Sequence, residues 1–375
     1  MESNRPHRRR RRKKKNYALK IALGVLGFLV FVAVVAAASA WYMWKNSSVL
    51  NREKMFVPKQ RTEIAGEPLP SPTPTPAPEP DAPAAPAQYD LYDEGKYYRL
   101  RENIIPVLFM GIDSKKNEAT DSEVVNGTNQ ADTLLVGLFN TDDKSVRVLH
   151  VPRDTEADVK VLDMMKNYVG TERMHICLQH AYGDGGAMSC ELQTEAVSTL
   201  LFGIPLDRYV SLGMNGVVKA VNAIGGVEVT LLDDFTHYSS AMKQGATVKL
   251  NGQRALVYIR SRQSMRGDQT DQNRMKRQVQ FLQAFIATVK GKVKENPTIV
   301  LSVYDAVKDY MQTNLTMDEL LYLANTGLAK DLTQENLISL PGAPGDEYQV
   351  LFHMDEAAAR ALIIDLFYEE VSTEG

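Results

Sequence analysis

The sequence predicts an α/β fold, a central mixed β-sheet sandwiched between α-helices and preceded by a single transmembrane helix. Three observations predict it. From about residue 97 onward, short runs of Val, Ile, Leu and Phe alternate with segments of helical period, the pattern of a sheet covered by helices. Residues 21–44 carry no charge over 24 positions, and a helix of that length spans roughly 36 Å, more than the hydrocarbon core of a bilayer. Nine of the 17 prolines fall within residues 68–86, a composition that favours polyproline II and closes no core. The expected organisation is a basic cytoplasmic tail (1–20), the transmembrane helix (21–44), a Pro-rich extracytoplasmic linker (45–96) and a globular domain (97–371).

Residues 1–20 hold ten Lys and Arg against one acid, Glu2, which leaves 33 basic and 45 acidic side chains in the other 355 residues. The net charge of −3 therefore hides a basic end and an acidic body, and a body that wraps nucleic acid is excluded. The basic run 8–15 marks the cytoplasmic side of the span, while Trp41, Tyr42 and Trp44 mark the opposite headgroup layer. The expected location is the cell membrane, single-pass, with the N-terminus cytoplasmic, the globular domain outside and the basic run on anionic membrane lipid. A signal peptide cut near Ala40 and a nucleic-acid role for the basic run are the alternatives.

Within the body, residues 104–112, 133–140 and 146–151 read as buried strands, with a turn (NTDDK) at 140–144 between the last two. Helical period marks 191–201, 215–224, 273–289, 318–328 and 355–368, and Gly225 and Gly226 announce a strand at 227–231. With 44% apolar residues the chain has the side chains for a sizeable core. In an exported domain a disulfide between Cys177 and Cys190, across the Gly-rich turn at 182–186, is the expected state, and two buried thiols are the alternative.

Three groups of polar residues are candidates for chemistry. Asp113 follows the strand at 104–112 and Asp132 precedes the next. Strand ends are where ligands sit in open α/β sheets, and two carboxylates suit a hard cation such as Mg²⁺, although acids there also form turns and caps. Arg153 and Asp154 follow the strand at 146–151 and offer either a planar fork for an anion or an exposed ion pair. The densest group holds Arg260 and Arg262, which share a face if that stretch is extended, then Arg266, Asp268, Asp271, Arg274, Arg277 and Gln278. Arg274, Arg277 and Gln278 share a helix face. Arginines converging in an acidic body call for an anion, phosphate being the bidentate match, unless the face is simply solvated. No G-x-S-x-G, P-loop or H-E-x-x-H occurs, and His175 and His180, five apart, do not share a helix face.

The segments VLFMGID, ADTLLVGLFN, VRVLHVPRDT, HAYGDGG, LLFGIPLDRYV, AIGGVEV, LNGQRALVYIRSR and DQNRMKRQ follow one another in this order. Over about residues 103–368 the chain resembles the LytR-CpsA-Psr family of bacterial cell-wall proteins. The resemblance implies a catalytic α/β domain that binds a polyprenyl-pyrophosphate-linked glycopolymer. Such a domain transfers the phosphoglycosyl chain to a peptidoglycan hydroxyl and releases polyprenyl phosphate. It implies Mg²⁺, or Mn²⁺, on Asp113 and Asp132. It implies pyrophosphate binding by Arg153, Arg260, Arg262, Arg274 and Gln278, with Arg277 and Lys115 beside them. The expected catalytic set is Arg153, Arg260, Arg262, Arg274 and Asp271; Asp271 matches the family's acid before the helix that carries Arg274, and the sequence leaves open which group accepts the hydroxyl proton, Asp271 being the candidate taken here. A hydrolase using water, and a non-catalytic binder of wall polymer or lipid diphosphate, are the other readings. The chain departs from the family pattern at Lys115 and Gln130, where arginine is usual, at Asn273, where glycine is usual, and at Arg173-Met174-His175, which stands for a Lys-Ile-Asn-like step.

Overall fold

The computed structural model describes residues 56–68, 89–112, 129–261, 270–296, 299–330, 333–345 and 351–371. Its strands in chain order are β1 (Leu91–Asp93), β2 (Lys96–Leu100), β3 (Ile104–Ile112), β4 (Ala131–Asn140), β5 (Val146–Val151), β6 (Glu156–Leu162), β7 (Tyr168–His175) and β8 (Tyr209–Gly213). The shorter β9 (Val227–Thr230), β10 (Thr247–Leu250), β11 (Met311–Thr313), β12 (Leu337–Ser339), β13 (Gly342–Pro344), β14 (Phe352–Met354) and β15 (Tyr368–Val371) follow. The longer helices are α1 (Ala187–Leu200), α2 (Met214–Ala223), α3 (Gly252–Arg260), α4 (Thr270–Glu295), α5 (Ile299–Val307), α6 (Met317–Ala329) and α7 (Glu356–Phe367).

Six strands form the central sheet in the order β11-β8-β3-β4-β5-β12. The β3–β8 and β5–β12 pairs are parallel and the others antiparallel, so the sheet is mixed. Side chains alternate across a strand, and the layers follow from that. Ile105, Val107 and Phe109 of β3, with Leu135 and Phe139 of β4, meet residues of α2 to α6 in one core. Leu108, Met110 and Ile112, with Leu134, Val136 and Leu138, meet α1 and α7 in the other. Each fully buried side chain of this kind contributes roughly 1.5–3 kcal/mol. The register also positions the site. Ile112 pairs with Ala131 and Gly213, and Leu134 pairs with Val151. The carboxyl ends of β3, β5 and β8 and the start of β4 therefore share one edge.

Four expectations are corrected. A membrane-spanning helix at the head of the fold, and with it a single-pass location in the cell membrane, finds no support: among the described residues no helix is long and apolar enough to cross a membrane. The longest, α4, has 26 residues but carries charges at both ends, while residues 1–44, on which both expectations rested, lie outside the described residues. Cys177 and Cys190 are both buried free thiols and form no disulfide; Cys190 Sγ instead faces His180 Nε2 at 3.7 Å. The stretch before Arg260 is helical, not extended, because Asn251 caps it by accepting from the Arg254 amide at 2.9 Å. Its apolar residues Ala255, Tyr258 and Ile259 then fall on one helix face, in the core.

Residues 56–68, which composition places in the linker, lie on the body as a strap. Phe56 meets Tyr322 edge-on at 5.4 Å between ring centres, and Ile64 is buried with Leu162 and Leu192. Lys59 reaches the buried carboxylate of Glu319 at 2.8 Å. Arg61 pairs with Glu67 and Glu195, and Lys160 of β6 joins both acids.

Candidate active site

Asp132 and Arg153 meet at the edge where the strands end. Asp132 is the second residue of β4 and Arg153 lies two residues past β5, so antiparallel pairing of these strands brings them together. The Arg153 guanidinium pairs with Asp132 Oδ1 through Nη1, donates to Asp154 Oδ1 through Nε at 3.1 Å and donates to Gln130 Oε1 through Nη2 at 3.0 Å. Its side chain is 11% exposed, against 3% for Asp132 and 12% for Asp154. An arginine has five N–H donors. Among the described residues three are accounted for, which leaves one on each terminal nitrogen, and guanidinium N–H groups are what phosphate oxygens accept from.

The backbone beneath is tied down. Thr155 donates from Oγ1 to the Pro152 carbonyl at 2.6 Å, and the Cys177 amide donates to the Arg153 carbonyl at 3.1 Å. The hairpin of β6 and β7 thus folds back along residues 153–156, pairing Glu156 with His175. His175 Nδ1 comes within 3.2 Å of Asp154 Oδ1. Behind it, burial pushes the Cys177 thiol up to about 12 while Arg153 pulls the other way, so this cysteine stays protonated and is not a nucleophile. Asn129, next to Gln130, has a left-handed backbone (φ 63°) and is buried; its carbonyl lies 2.7 Å from His180 Nδ1.

Arg277 on α4 has a different setting. It is 1% exposed, its Nη2 donates to the Ser261 carbonyl at 2.6 Å, and its Nε lies 3.2 Å from Asp233 Oδ2. Its guanidinium sits over the rings of Phe235 and Tyr258, 5.1 and 5.8 Å from their centres. Burial lowers its pKa, with Asp233 opposing that shift. It braces the exit from α3 against α4.

The backbone places Arg260 at the end of α3 and Asp271, Arg274 and Gln278 on α4; their side chains, and all of Asp113, Lys115 and Arg262, lie outside the described residues. Among the described residues no group of three or more metal-capable side chains occurs. Mg²⁺ needs only one or two carboxylates, the rest of its shell being water and phosphate oxygens. Asp132 supplies a hard, buried carboxylate, paired with Arg153. The donor chemistry fits such an ion. The sequence marks Gln130 and His175 only as departures from the family pattern; that Gln130 accepts from Arg153 and that His175 lies beside Asp154 comes from the fold.

Residues 85–362 match the model of the LytR_cpsA_psr family. The chain is 28% identical over 255 residues to the polyisoprenyl-teichoic acid–peptidoglycan teichoic acid transferase TagU of Halalkalibacterium halodurans, covering 67% of this chain and 75% of that protein. It is 27% identical over 257 residues to the transferase TagV of Bacillus subtilis, covering 64% of this chain and 59% of that one. Among solved structures, protein gbs0355 from Streptococcus agalactiae superposes with a TM-score of 0.51 at 23% identity, covering 70% of this chain and 87% of that one, a likeness of fold.

Proposed function

The chain belongs to the LytR-CpsA-Psr family, and on that premise we propose that it is a cell-wall glycopolymer transferase, moving a glycopolymer from a polyprenyl-pyrophosphate carrier to a peptidoglycan hydroxyl. One observation carries the reading for this chain: Arg153 is fixed by Asp132, Asp154 and Gln130 at the strand ends, and among the described residues no partner takes the second N–H of either terminal nitrogen. Phosphoryl transfer asks mainly for positioning and charge stabilisation, and a guanidinium that needs no reorganisation supplies both. In this reading Arg260, Arg262, Arg274, Gln278 and Lys115 complete the pyrophosphate site, while Arg277 holds the Ser261 carbonyl and so the segment leading to Arg262. Asp132, with Asp113, would hold Mg²⁺, whose chemistry is to neutralise charge on the diphosphate and ease departure of the leaving phosphate.

The test follows polyprenyl phosphate and coupled glycan by mass spectrometry, after incubating the full-length protein with a polyprenyl-pyrophosphate oligosaccharide, Mg²⁺ and peptidoglycan fragments. Both products are expected. Arg153→Lys, which keeps the charge and loses the fork, should lower turnover by about 10²–10³-fold. Lipid phosphate without coupled glycan would make the protein a hydrolase, and binding without any product would make it a binder.

A further inference from the structure

Residues 231–246, which join β9 to β10, form a compact loop whose ends meet. The Leu231 amide donates to the Ala246 carbonyl at 2.9 Å, and the Gly245 amide donates back to the Leu231 carbonyl at 2.8 Å. Gln244 Nε2 donates to the Leu232 carbonyl at 2.9 Å, and Asp234 Oδ1 accepts from the amide and the hydroxyl of Thr236. Phe235 plugs the loop into the core. It is fully buried, its amide donates to the Met242 carbonyl at 2.8 Å, and its ring centre is 5.3 Å from that of Tyr258. A loop closed and plugged in this way holds its outward side chains as firmly as a scaffold does.

What the loop holds outward is aromatic. His237 and Tyr238 are exposed, Tyr238 by 55%. Their ring centres are 4.2 Å apart, and the His237 ring lies within 20° of parallel to that of Phe235. The rings are also tied to the end of α3. Tyr238 Oη accepts from Ser261 Oγ at 3.3 Å. Arg277, whose guanidinium lies over the Phe235 ring, donates to the Ser261 carbonyl at 2.6 Å. Ser261 is bonded on one side to Arg260 and on the other to Arg262.

We propose that Tyr238, with His237 beside it, is the platform for the sugar next to the diphosphate of the glycan donor. The proposal deepens the transferase reading and rests on it. One face of a pyranose presents polarised C–H bonds, which lie on the negative face of an aromatic ring. Its hydroxyls can exchange hydrogen bonds with Tyr238 Oη and Ser261 Oγ. The first sugar of such a donor is bonded to the diphosphate, so rings joined to the residue between Arg260 and Arg262 stand where that sugar emerges. Rings with a hydroxyl and an imidazole edge suit a sugar rather than the hydrocarbon tail of the same donor. Because the loop already fixes them, they lose little freedom on binding.

The experiment is a calorimetric titration of the full-length protein, in Mg²⁺, with two soluble probes: farnesyl pyrophosphate and farnesyl-pyrophosphate disaccharide. The sugar-bearing probe should bind more tightly than the bare one. Tyr238→Ala should weaken the sugar-bearing probe by about tenfold and leave farnesyl pyrophosphate unchanged. Tyr238→Phe keeps the ring and should keep most of the sugar's contribution, whereas Tyr238→Leu keeps apolar bulk without a ring and should lose it. Equal weakening of both probes by Tyr238→Ala overturns the proposal, because the ring would then be a brace for the segment around Ser261. So does a Tyr238→Leu protein that binds the sugar-bearing probe as wild type does. A Tyr238→Ala protein whose one defect is a raised KM for soluble peptidoglycan strands also overturns it, by giving the rings to the acceptor. Wild type that binds both probes equally overturns this proposal alone. Wild type that binds neither overturns the transferase reading, and this proposal with it.

Discussion

Arg153 draws its partners from two strand ends that are 21 residues or more apart in the chain, so its orientation depends on the register of the whole sheet. Asp132 and Arg153 were legible in the sequence because each flanks an apolar run that reads as a buried strand. His175 was not legible as a neighbour of the site: β7 is mostly polar and intermediate or exposed in burial, and nothing in such a pattern says which residues it folds against. His180 carries a consequence for the folded state. It is fully buried, and burial lowers its pKa from 6.5 to about 4, with the Asn129 carbonyl opposing that shift. Below the ordinary value the unfolded chain binds the proton that the native site refuses. The stability due to neutral His180 is therefore complete above pH 6.5 and is lost as pH falls toward about 4, by up to about 3 kcal/mol. Urea unfolding at neutral and mildly acid pH, in wild type and His180→Gln, checks this; equal acid sensitivity in both would assign the effect elsewhere.

At the scale of elements, α6 shows how a local signal and a distant contact share one side chain. Thr316 and Glu319 form a capping box: Glu319 Oε2 accepts from the Thr316 amide at 2.7 Å, and the Glu319 amide donates back to Thr316 Oγ1 at 3.3 Å. The same Oε2 receives Lys59 of the strap. Glu319→Ala should keep the Thr316 cap, remove the reciprocal side-chain bond of the box, worth about 1 kcal/mol, and leave Lys59 without its acid. Amide exchange across residues 56–68 should then quicken more than exchange in β3. Uniform exchange in both segments would show that the strap is held by its other contacts. The turn at 140–144 and the helical period from 318 were readable in the sequence. The condition that 256–259 be extended is not met: a short apolar run has no period of its own, and the helix is the one that Asn251 caps.

For the molecule as a whole, the two-sided sheet was legible because continuous apolar strands such as β3 need cover on both faces. The strap was not, since residues 56–68 contain few apolar side chains and bind through charge pairs with acids far along the chain. A chain beginning at Tyr89 loses Ile64, Phe56 and these pairs. Its Tm should fall by about 2–4 °C for each kcal/mol forfeited, which calorimetry on the two lengths would register; an unchanged Tm would mean the strap adds nothing to the fold. The strap also rejoins the body at Leu91 through the Pro-rich stretch. Seen as a ligand, residues 56–68 are delivered to their seat on α1 and α6 at the effective concentration set by that connection. A single cut between 68 and 89 would turn their docking from a property of one molecule into a binding equilibrium, insensitive to dilution before the cut and sensitive to it afterwards.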